Sequence, residues 1–405
     1  MDSRNLFAVC LLAVAVATAS ADDPNVDPIL SGKPISQWLK DLHSDDKAVH
    51  DTADAALGKA GKQLVPALCR VIRHSDKEVR ILAIEMIGVI GEDAKETIPE
   101  LVKSLSDPKP RVRGAAANTL GSFGTLAKDH VPALLKQLSS EPTDAIGARV
   151  GIVRGLGQIG EDASAAVDPL IELFEKAPPF KTKDAEAIPN LRAAAAEALG
   201  LIGPPAAKAV PILNKGVADT RRAIEVRIKC AEALGRLGEL AKDGVPGLVA
   251  ALKEKDDDLK ESAAEALGLI GPSAKVAVGP LADLLIDGNP EVRASAAEAL
   301  GGIGPEAATA VPALIKALRD KEQQVRISAA VSLGEIGKEP GKAVPALVEL
   351  LNDSSGDVRS SALDAIAEFG VGAKSVIDAV KALRTDPDSN IRDQVESVLS
   401  KIGGS

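Results

Sequence analysis

Few residue types in this 405-residue chain could do covalent or metal chemistry. Its four imidazoles are His43, His50, His74 and His130, all in the first third of the chain. They are followed by Ser44, Asp51, Ser75 and Val131, so no His-Glu dyad exists, and a metal site needs several convergent donors. There is no Gly-x-x-x-x-Gly-Lys-Ser/Thr phosphate loop, no Gly-x-Ser-x-Gly nucleophile turn and no Cys-x-x-Cys pair. The sequence therefore predicts no catalytic residue, no metal and no cofactor.

The regular polar features are columns. An arginine phase recurs at His50, Arg80, Arg113, Arg149, Arg192, Arg227, Lys260, Arg293, Arg326, Arg359 and Arg392. An acid often precedes it, as at Asp76, Asp107, Asp287, Asp320, Asp353 and Asp386. Two readings stand: a basic stripe for an anionic partner, or a structural ladder in which each aspartate caps nearby helix N-termini and pairs with an arginine of its own or the next unit. Five residues after the phase lie Glu197, Glu232, Glu265 and Glu298, a candidate acidic strip for a basic, extended segment. Glutamate is also a good helix former on a wet surface.

These columns need elements to hold them. The phrase Val-Arg-x-x-Ala-Ala-x-x-Leu-Gly-x-Ile-Gly recurs along the chain at intervals of 30, 33, 36, 43, 35 and then 33 five times. A second phrase, fullest as Val-Pro-Ala-Leu, places Pro66, Pro99, Pro132, Pro169, Pro211, Pro246, Pro280, Pro312 and Pro345 between copies. Proline in a first helical turn sacrifices no intrahelical bond, and glycine just past the last apolar residue supplies a left-handed helix end. In the copy around Arg192, Leu191, Ala195, Ala196, Leu199 and Ile202 fall on one side at helical spacing. The eighth position after the phase is glycine nine times, from Gly58 to Gly334. Glycine inside a helix costs about 1 kcal/mol against alanine, so close helix contact is the expected reason.

Each copy thus reads as a pair of antiparallel helices, A on the proline side and B on the arginine side. Neither hides its apolar stripe alone, so neighbours must stack. The expected fold is all-α, an α-solenoid of about eleven pairs over residues 35–403, with 22–34 as an N-terminal tail. Polar Asp393, Gln394, Glu396 and Ser397 make the last copy read as a terminal cap.

The pattern resembles the HEAT repeat, and more closely the HEAT-like repeats of phycobilisome-lyase type. That resemblance implies an α-solenoid and an arginine–aspartate ladder. Some members are chromophore lyases, and one is a di-iron hydroxylase with His-Glu pairs on successive helices, a ligand set this sequence lacks. An accessory role resembling bilin lyases would need an aromatic cup, yet Trp38, Phe123, Phe174, Phe180 and Phe369 are widely spread.

Composition fits the same reading. Apolar residues make 45% and charged residues 26%, and 48 basic against 58 acidic side chains leave a net charge of −10, which disfavours general phosphate binding. Residues 1–21 combine Arg4, an apolar run from Leu6 to Val16 and Ala19-Ser20-Ala21, the pattern of a signal peptide cut after Ala21. The run is shorter than the roughly 18 or more apolar residues that span a bilayer, so no membrane span is expected. An envelope, periplasmic or extracellular location follows as an expectation. Cys69 and Cys230 lie about five units apart in this scheme, too far for a bridge, and read as free buried thiols.

Three adjacent A–B turns are lengthened: 139–147, 177–190 and 214–225. Insertions sharing an edge can build one patch, here Phe180, Lys181 and Lys183 with Arg221 and Arg222. The functional expectation is a non-catalytic scaffold for a protein or peptide, with a chromophore-cupping accessory or a structural envelope spacer as alternatives.

Overall fold

A computed structural model describes residues 16–17, 27–176 and 187–404, with backbone alone for 16–17 and 187–190. Apart from 16–17, the expected signal peptide lies outside the described residues, as do Phe180, Lys181 and Lys183. Two compact units divide the chain, Met1–Ala166 and Val167–Ser405.

Eleven helix pairs run through the described residues. In the first unit the A helices are Ile35–Asp41, Val65–Val71, Ile98–Ser104 and Val131–Ser140. Their B helices are Lys47–Ala60, Lys77–Ile90, Pro110–Ser122 and Ile146–Ile159. In the second unit the A helices are Val167–Lys176, Val210–Ala218, Val245–Ala251, Val278–Leu284, Val311–Ala317, Pro340–Leu350 and Ile377–Ala382. The B helices there are Ala187–Ile202, Ile224–Leu237, Asp257–Ile270, Pro290–Ile303, Gln323–Ile336, Gly356–Glu368 and Ser389–Ile402. Within each unit every B helix packs on its own A helix and, from Lys77–Ile90 onward, on the next B helix, the nearest-neighbour arrangement of an α-solenoid; Lys77–Ile90 meets the first repeat mainly through Ile35–Asp41.

Three local features differ from the sequence expectation. Residues 29–34, expected in a tail, form a tight antiparallel hairpin of Ile29–Leu30 with Lys33–Pro34. Leu30 is fully buried, and its carbonyl accepts from the Trp38 indole at 2.8 Å, so the hairpin covers the first A helix. Second, the glycines that end the B helices all take positive φ, yet most do not adopt the left-handed helical conformation. Gly271, at φ 74° and ψ −143°, is typical, whereas Gly337 is left-handed at 59° and 20°. That extended ψ leads straight into a 3-10 segment such as Gly271–Ala277 or Gly304–Ala310, which carries the chain to the next A helix. Third, the lengthened turns are partly helix. Val131–Ser140 and Val167–Lys176 have 10 residues each, where Val278–Leu284 has 7.

The proline rule holds at Pro66, Pro99, Pro132, Pro211, Pro246 and Pro312, all in first turns. Pro345 instead lies inside Pro340–Leu350, because that helix begins early at Pro340.

The internal glycines are explained by contact. A Cβ on Gly200 would stand 2.8 Å from Ala233 Cα, and one on Gly268 would stand 2.9 Å from Ala299 Cα. Both obstacles are backbone atoms of the next B helix, which cannot swing away as a side chain could. At Gly58 nothing lies within 4 Å of the same added carbon. The two positions therefore predict opposite outcomes. Gly58→Ala should raise stability by up to about 1 kcal/mol through helix propensity, and Gly200→Ala should lower it by about 1–3 kcal/mol through overpacking. Urea denaturation of both variants checks this; a stabilising Gly200→Ala would remove the close-packing account.

Candidate functional site

The arginine column is the most completely bonded polar feature. Arg326 donates Nε and Nη2 to the Asp353 carboxylate at 2.8 and 3.0 Å, and Nη1 to the Asp320 carbonyl at 2.9 Å. Asp353 belongs to the turn of the next repeat and Asp320 to its own, so one side chain ties two turns together. The same fork joins Arg80 to Asp107, Arg293 to Asp320 and Arg359 to Asp386. Lys260 reaches Asp287 at 2.7 Å, and Arg227 reaches Glu254 at 3.0 Å. Arg113 binds Glu141, and Arg392 closes the series on the Asp386 carbonyl.

Each ladder aspartate also accepts from the backbone N–H two residues on, as Ser355 N to Asp353 at 2.9 Å. Helix capping falls to a different position: Asp46, Asp256, Asn289 and Asp388 cap their B helices. Asp76 is one of these caps, accepting from Glu78 N and from Lys40, and is not a ladder acid. Burial acts to raise the carboxyls of Asp287, Asp320 and Asp353. The cation and backbone hydrogen bonds outweigh it and hold all three below the ordinary value. With both ends bonded and Arg80, Arg227 and Arg293 buried, the column offers little to an anionic partner.

The ladder changes form at the lengthened turns. Arg149 Nε is buried without a hydrogen-bond partner, and burial lowers its pKa. Arg192 Nε donates to the Phe174 carbonyl of its own repeat. Arg221 is exposed and grips Asp219 at 2.9 Å, but Arg222 turns inward over the Phe174 ring, 4.6 Å from its centroid. The expected patch is therefore described only in its Arg221–Arg222 half, and only Arg221 of that half faces water. Cys69 is half-buried and Cys230 buried, both free, with burial pushing the Cys230 thiol up to about 12.

The acidic strip lies where B helices meet water. Pro290–Ile303 buries Val292, Arg293, Ala294, Ala296, Ala297, Ala299, Leu300, Gly301 and Ile303, leaving a narrow stripe of Glu291, Ser295, Glu298 and Gly302. Glu197 is half-exposed, and Glu232 is ion-paired to Lys229 at 2.8 Å. Glu265 and Glu298 are exposed, and Glu298 accepts from Ser328 Oγ at 2.7 Å. They border a groove of about 510 Å³ across three B helices, between Asp257 and Ile336, whose third carboxylate is Glu335. Burial and the charge of Glu298 both raise the Glu335 pKa. Glu335 stands nine residues after Arg326 rather than five, so a search confined to one column passes over it. On a helix, positions five and nine share a face, and that was the available signal.

The family model described as HEAT repeats matches six overlapping stretches, 65–150, 98–188, 185–268, 245–314, 278–367 and 344–405. Together they cover the chain from residue 65 to its last residue without a gap. The chain belongs to the HEAT-repeat family. No curated protein matches it. Among solved structures, Kap95p aligns with a TM-score of 0.52 and 16% identity, over 91% of this chain and 54% of that one. A multiply substituted Kap121p aligns with a TM-score of 0.51 and 16% identity, over 89% and 46%. The chain thus spans about half the length of these proteins, and at such identity the likeness is one of fold.

For a HEAT repeat the ladder makes a stability claim with a defined sign. The depressed carboxyls of Asp287, Asp320 and Asp353 stabilise the fold above the ordinary carboxylate pKa, near 4, and that contribution fades as pH falls through the lower folded values. Asp353→Ala should cost about 2–4 kcal/mol near neutral pH, because it strands the mostly buried Arg326. The deficit relative to the parent should shrink in acid. Chemical denaturation at about pH 7 and about pH 3 reads both effects, and an equal deficit at the two values contradicts the ladder's titration.

Proposed function

We propose that this HEAT-repeat protein is an exported, non-catalytic scaffold that binds a protein or peptide along the exposed stripe of its B helices. The observation behind this reading is the contrast between the two polar columns. Most of the arginine column is spent on holding turns together, while carboxylates on the B-helix stripe of the second unit stand open beside small residues. In accord with it, Kap95p, which shares the fold, is described as binding RanGDP. Export rests on residues 1–21, whose charged start, apolar run and Ala-x-Ala ending suit a signal peptide. The Val-Arg-x-x-Ala-Ala phrase favours repeats of phycobilisome-lyase type, and the signal-like segment together with that family's distribution favours a bacterial member.

Site-specific crosslinking tests the reading. A photoreactive residue at Ser295, on the stripe, should give a discrete adduct with a protein in the native compartment. The same residue at Lys316, exposed on an A helix, should not. The recovered protein should begin at Asp22 and leave the cytoplasm. Equal adducts from both positions would defeat the scaffold reading, and a retained Met1 in a cytoplasmic fraction would defeat export.

A further inference from the structure

The groove of about 510 Å³ runs across Asp257–Ile270, Pro290–Ile303 and Gln323–Ile336, all within one compact unit. Its lining combines two chemistries. Leu269 and Val331 are 57% and 39% exposed, aliphatic surfaces with no protein covering them. Glu265, Glu298 and Glu335 add three carboxylates, and no lysine or arginine lines the groove. None of the three belongs to an ion pair among the described residues, unlike Glu232 with Lys229, Glu349 with Arg319 or Glu396 with Arg384. Gly268, Ala299 and Gly302 contribute little side chain, so a visiting backbone can come close.

Spacing narrows the occupant. Glu265 and Glu298 hold the same position on adjacent B helices, which pack about 8–10 Å apart. A polyproline-II segment repeats its face every third residue, at about 9 Å. Charge, exposed aliphatic surface and interval therefore agree on one kind of chain.

We propose that this groove docks an extended, basic segment of a partner protein, with a lysine or arginine at every third position facing the carboxylates and aliphatic residues between them packing on Leu269 and Val331. The assignment rests on the scaffold reading and gives its partner a chemistry. Binding would neutralise carboxylates that the fold leaves open and cover two exposed aliphatic side chains, and the Glu335 carboxyl, partly desolvated and under the charge of Glu298, is where a cation relieves most.

The test uses the full mature chain and a fluorescent peptide with the repeat Lys-Leu-Pro. Fluorescence anisotropy should show binding that weakens as salt rises. Glu298→Gln with Glu335→Gln should weaken it about tenfold or more. Leu269→Ser should weaken it several-fold, and Glu306→Gln, an exposed acid off the groove, should leave it unchanged. Equal binding of a Glu-Leu-Pro peptide, or indifference to the double substitution in a protein whose melting is unaltered, overturns the assignment. If the peptide ignores the groove while the Ser295 crosslink persists, this assignment falls and the scaffold stands; loss of both removes both.

Discussion

The architecture depends on how closely one B helix can approach the next. Gly200 against Ala233, Gly235 against Ala266, Gly268 against Ala299 and Gly334 against Ala365 bring backbone to backbone. At that separation a methyl group is already large, so the interface is written in glycine and alanine. This accounts for a well-buried chain with one Trp, five Phe and no Tyr. It also limits where function can reside. A B helix closed in by the helices beside it and by its own A helix shows water along about four positions, and only those are free to vary for a partner.

Close packing of near-featureless surfaces leaves a problem of register, because small side chains interlock weakly. The arginine fork answers it. Arg293, Arg326 and Arg359 each hold the carbonyl of their own turn and the carboxylate of the next, fixing how far one repeat is displaced along its neighbour. Lys260 keeps the contact with Asp287, yet it is a point charge without a fork and takes Asp257 as well. At the lengthened turns the partners change: Arg113 takes Glu141 where other repeats offer an aspartate, and Arg192 Nε donates to the Phe174 carbonyl of its own repeat.

Much of this was legible in the sequence because repetition multiplies weak signals. One glycine after an apolar residue means little, while eleven in phase define the end of every B helix. The 3-10 segments leave a mark in the sequence as well. Gly271, Ala274 and Ala277, like Gly304, Ala307 and Ala310, are spaced by three, the period at which a 3-10 helix stacks its side chains, and the alanines are buried. The hairpin at 29–34 left no comparable mark, because it occurs once and depends on Trp38 reaching back to Leu30. The site divides the same way. Glu265 and Glu298 stand in the repeat, but Glu335 matters because of its neighbour across the groove, a relation between helices that a single column does not encode.

The two polar systems finally differ in what their charges can still do. A carboxylate such as Asp320, held by Arg293 and by the Glu322 N–H, has its hydrogen-bonding capacity spent inside the fold. Glu335 feels the charge of Glu298, and neither is ion-paired among the described residues, so the fold retains the repulsion. A scaffold with no use for that face could relieve it with one lysine, as Lys229 does for Glu232. Leaving three acids open beside exposed Leu269 and Val331 costs some self-repulsion and makes that face the part of the second unit where an incoming cation gains most.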